Sequence, residues 1–66
     1  MRAMILRKLS DPQREVRDQV RHVRGLVLIR TLLEERGASV TELAECDSVI
    51  AGSRQELAEL AARAAA

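Results

Sequence analysis

The chain has 66 residues, 11 Lys and Arg against 10 Asp and Glu, one cysteine, and no Phe, Tyr or Trp. That bounds it to one small domain, excludes an intrachain disulfide, and removes the aromatic anchors and base-stacking platforms of many interfaces. Its near-neutral total hides a division: residues 1–30 hold eight Lys and Arg against three acids, net +5, and residues 31–66 hold three against seven, net −4.

Residues 1–10 are basic and partly apolar, but Arg2, Arg7 and Lys8 interrupt any run long enough for a signal peptide. Met1, Met4, Ile5 and Leu9 are expected to belong to a separate helical arm, the alternatives being an extension of helix 1 past Pro12 with a bend, or an embrace of a second subunit. No uninterrupted apolar run of about 18 residues follows, so no membrane helix is expected and the default setting is cytoplasmic.

Helix 1 is expected over 11–36. Ser10 is a capping acceptor with Gln13 three residues later, and Pro12 stands in the first turn, where its missing donor costs nothing. Residues 37–38 form the turn, because Gly37 suits the left-handed position just past a helix end. Ser39 and Glu42 then make a second capping box that starts helix 2 over 39–64. A third such box, Ser53 and Glu56 beside Gly52, allows a break in helix 2 near 47–52. A turn this short forces the helices antiparallel, so the fold class is all-α, a helical hairpin with an N-terminal arm.

Helix 2 carries a seam with steps of three and four throughout: Leu43, Cys46, Ile50, Ser53, Leu57, Leu60 and Ala64. Folded back about Gly37, Leu33 faces Leu43, Ile29 faces Cys46, Leu26 faces Ile50, Val23 faces Ser53, Val20 faces Leu57 and Val16 faces Leu60. The run Val20, Val23, Leu26, Ile29 advances by threes, which over-winds the seam and predicts distortion near Gly25. Gly25 and Gly52 fall opposite one another, either as a close crossing of the two backbones or as a simple loss of helix propensity.

A second stripe on helix 1 begins as Arg14, Arg17, Arg21 and Arg24 and ends as Leu28 and Leu32. The arginines have three readings. They form a solvated face, with Arg17 reaching Glu59, Arg21 reaching Glu56, and Asp11, Glu15 and Asp18 as local partners; or they contact nucleic-acid phosphates; or they meet an acidic protein surface such as the Glu-rich half of another copy. The stretch Leu26–Ile29 is apolar nearly all round, and one hairpin leaves part of it wet. With no disulfide or metal to supplement a small core, Leu26, Leu28, Ile29 and Leu32 are expected to form an oligomer interface, two hairpins making a homodimeric four-helix bundle. The function expected is a non-catalytic protein–protein interaction or regulatory module without a cofactor; the alternative is a small nucleic-acid-binding regulator.

The segment Ala38-Ser39-Val40-Thr41-Glu42-Leu43-Ala44-Glu45 resembles the first helix of helix-turn-helix DNA-binding domains and is similar to the turn and second helix of ribbon-helix-helix antitoxins. The first resemblance implies a recognition helix around Arg54, Gln55 and Glu56. Against it, Asp47 and Ser48 replace the apolar residue and glycine of the turn, and Arg54 stands where a buried β-branched residue belongs. Against the second, the 27 residues from Ser10 to Gly37 exceed that fold's first helix. Asp47-Ser48-Val49 resembles the attachment triplet of phosphopantetheine carrier proteins, but only 18 residues follow Ser48. Gln55-Glu56-Leu57 resembles a motif of small helical sporulation phosphatases, with Ala58 in place of their aspartate. His22, the only histidine, is expected at the surface four residues after Asp18. Cys46 is expected as a buried thiol, or as a contact with its own copy across a dimer axis.

Overall fold

The computed structural model describes residues 11–66. The expected N-terminal arm and Ser10 lie outside them. Two helices, α1 (Pro12–Glu35) and α2 (Val40–Ala65), pack against one another as an antiparallel hairpin. Asp11 rather than Ser10 caps α1: its carboxylate accepts from the Gln13 backbone N–H at 2.9 Å, and Pro12 opens the helix. Glu15 in the first turn adds negative charge where the helix dipole favours it.

The reversal follows from two local motifs. Past Arg36, Gly37 takes φ +80°; its N–H donates to the Glu34 carbonyl at 3.0 Å and the Ala38 N–H to the Leu33 carbonyl at 2.9 Å. This Schellman pair satisfies carbonyls that the helix end orphans, and it demands a left-handed residue that only glycine adopts without strain. Ser39 then caps α2, its hydroxyl oxygen accepting from the Glu42 N–H at 3.1 Å. The hydroxyl itself lies 3.3 Å from the Glu42 carboxylate, to which it donates.

On α2 the expected seam is the observed one. Ile50 and Ser53 are buried and Leu43, Cys46, Leu57, Leu60 and Ala64 half-buried, while the other residues of the helix are exposed. The helix is continuous from Val40 to Ala65, without the break considered at 47–52. Ser53 and Glu56 therefore stand inside a helix rather than at the start of one.

On α1 the seam differs from expectation at one place. Val23 is buried and Val16, Val20, Leu26 and Leu33 half-buried, as the fold-back pairing requires. Ile29, expected opposite Cys46, is instead 50% exposed, and Arg30 takes the seam position. The reason is periodicity. Val16, Gln19, Val23, Leu26, Arg30 and Leu33 advance by alternating threes and fours, a heptad that matches α2, whereas Ile29 prolongs a run of threes that drifts off the contact line. With Arg30 in place α1 runs as one α-helix through Gly25, so the expected distortion is absent.

Gly25 and Gly52 are exposed, and a Cβ built on either would meet nothing within 4 Å. Of the two readings of these glycines, the close backbone crossing does not form.

Candidate interaction face

Two cross-helix polar contacts mark the two sides of the hairpin. On one side Arg30 Nε donates to Asp47 Oδ1 at 2.5 Å and its Nη1 to Glu34 Oε2 at 2.8 Å. Those hydrogen bonds, to Asp47 first and then Glu34, raise the Arg30 pKa above its ordinary value. On the other side Gln19 Nε2 donates to the Ser53 carbonyl at 3.0 Å and to Glu56 Oε2 at 3.4 Å. The Gln19 amide thus occupies the seam beside buried Ser53, a role that its polar side chain concealed in the sequence.

The arginine stripe faces away from α2. Arg14, Arg17, Arg21 and Arg24 are all exposed, and the expected reach of Arg17 to Glu59 and Arg21 to Glu56 does not occur. The pairs that do form are with the expected local acids: Arg17 lies 3.8 Å from Asp11, and Arg21 3.9 Å from Asp18. The cause is angular: at about 100° per residue this stripe stands nearly opposite the Val16–Leu33 seam, too far round for a guanidinium to cross. Such solvated pairs at the limit of contact contribute about 0–1 kcal/mol each.

Beyond the arginines the same outer surface becomes apolar. Leu28 is 58% exposed and Leu32 50%, alongside Ile29. Leu26, expected both opposite Ile50 and in the interface, is half-buried in the seam. Val49 on α2 is 53% exposed, a member of the apolar surface that sequence reasoning missed. Its signal was present in the heptad, because Val49 lies seven residues before Glu56 and therefore on the Gln19–Glu56 side of the hairpin.

Against this exposed surface the interior is thin. Among the described residues only Val23, Ile50 and Ser53 are buried, and no side chain is fully enclosed. His22 is exposed and Cys46 half-buried in the seam. No group of three His, Cys, Asp or Glu among the described residues is placed to hold a metal ion. Nor is any described helix long and apolar enough to cross a membrane. The turn that a helix-turn-helix needs at Asp47 and Ser48 is replaced by continuous α2.

No family model matches the chain, and comparison with curated proteins and with solved structures finds no match.

Proposed function

We propose that the protein is a non-catalytic interaction module that works as a homodimer, two hairpins joining into a four-helix bundle. The observation that carries this reading is the half-exposed run Leu28, Ile29 and Leu32 on a hairpin with no fully enclosed side chain. Burying a large aliphatic side chain stabilises by roughly 1.5–3 kcal/mol, and the exposed half of each of these three is still to be gained. A two-fold interface uses the same patch twice. The test is molar mass by light scattering on the eluted protein at micromolar concentration. The wild type is expected to be a dimer, and Ile29→Glu and Leu32→Glu, which replace exposed residues and spare the hairpin seam, are expected to be monomers. A monomeric wild type contradicts the reading.

A second reading draws on a different observation. The outward-facing Arg14, Arg17, Arg21 and Arg24 span one face of α1 with only weak acidic partners, a spacing suited to contacting nucleic-acid phosphates. It predicts that binding to arbitrary duplex DNA falls steeply with salt, with a log–log slope of about −3 to −4 if all four contribute. Affinity no greater than that of a charge-matched helical peptide removes it.

A further inference from the structure

Across the hairpin from the Arg30–Asp47 pair lies a second broad side, apolar at its centre and acidic around it. Heptad spacing puts Glu15, His22, Ile29 and Arg36 in one row of α1 and Glu42, Val49, Glu56 and Arg63 in the facing row of α2. The next rows outward hold Asp18, Gly25 and Leu32 on α1 and Glu45, Gly52 and Glu59 on α2, and all of these residues are exposed. The hydrogen bond from Gln19 to Glu56 marks this side of α2.

Charge here is mostly of one sign. Six acids, Glu15, Asp18, Glu42, Glu45, Glu56 and Glu59, stand against Arg36 and Arg63, net −4. Of the six, Asp18 alone pairs with a cation among the described residues, Arg21 at 3.9 Å. At the middle, a Cβ built on Gly25 or Gly52 would meet nothing within 4 Å, which leaves room above the backbone. An acidic surface with an apolar centre repels nucleic acid and its own copy alike, and it suits a short segment that is basic and apolar.

Such a segment adjoins it. Residues 1–10 hold Arg2, Arg7 and Lys8 without an acid, together with Met1, Met4, Ile5 and Leu9. They enter α1 at the end nearest Glu15 and Glu59, through Asp11, whose extended backbone (φ −102°, ψ 115°) turns the chain out of the helix axis. Length then decides what they reach. Gly25 lies fourteen residues along α1 from Asp11, about 21 Å, and the seven residues back to Met4 span about 23 Å when extended but only about 10 Å as a helix.

We infer that residues 1–10 lie along this side of their own hairpin as an extended strap antiparallel to α1. Met4 and Ile5 cover the glycines beside Ile29 and Val49, and Arg7 and Lys8 meet Glu56 and Glu59. Leu28, opposite the seam, and Leu32, at the outer edge, stay open to a second copy, so the strap goes beyond the homodimer reading and does not depend on it.

The test uses disulfides in a Cys46→Ala background. Met4→Cys is combined either with Gly52→Cys or with Ala51→Cys, an adjacent exposed position one turn after Asp47 and therefore on the other side of the hairpin. Both sites are outside the seam, and circular dichroism of the reduced chains is expected to match the wild type. Measured against glutathione in dilute solution, the bridge from position 4 to 52 is expected to close within one chain with an effective concentration about tenfold above that from 4 to 51. Arg7→Glu with Lys8→Glu is expected to remove most of that preference. In the wild-type background the same reversal is expected to lower the urea midpoint, and Glu56→Lys with Glu59→Lys to restore it. Equal effective concentrations, a preference that survives the reversal, additive effects of the two reversals, or bridges from 4 to 52 that join two chains overturn the inference. A monomeric wild type leaves it standing.

Discussion

Gly37 is the residue on which the hairpin turns. Its φ of +80° and the pair of hydrogen bonds closing over it are the geometry that a side chain resists. Because nothing lies within 4 Å of a Cβ there, the cost of Gly37→Ala is conformational rather than steric. That substitution is expected to destabilise the folded protein by about 1–2 kcal/mol in urea denaturation, and a change below a few tenths would mean that the left-handed geometry does not hold the turn. Arg30 illustrates the opposite case, a charged side chain holding a seam position. Its side chain is half-buried, and its guanidinium reaches Asp47 on one helix and Glu34 on the other.

At the level of the helices, α2 was legible in the sequence and α1 only in part. Every seam position of α2 is either aliphatic or small, so a spacing of threes and fours identifies it directly, from Leu43 to Ala64. In α1 the apolar alphabet misleads, since Ile29 looks like the core residue and Arg30 does not. Packing decided otherwise, because a helix must keep the heptad of its neighbour to stay in contact over its length. Gln19 was hidden for the same reason. The turn was readable because its chemistry is local, whereas the cap moved one residue to Asp11, the acceptor immediately before Pro12. The exchange at position 30 yields its own prediction. Arg30→Leu removes partly exposed ion pairs and places an aliphatic side chain on the seam, so thermal or urea unfolding is expected to show a gain of about 0.5–1 kcal/mol. A loss exceeding about 1 kcal/mol would show that the Asp47 and Glu34 contacts outweigh packing there.

For the molecule as a whole, the apolar residues that a lone hairpin leaves uncovered are the same ones that an interaction module would use. Ile29, displaced from the seam by Arg30, joins Leu28, Leu32 and Val49 on the outside. One residue's change of place thus links the heptad of α1 to the surface offered to a partner. If folding is coupled to association in this way, stability follows mass action. Thermal unfolding by circular dichroism from about 5 to about 200 micromolar is the most direct measurement: the midpoint is expected to rise by roughly 5–10 °C across that range. A midpoint independent of concentration, with a cooperative transition throughout, would contradict the account.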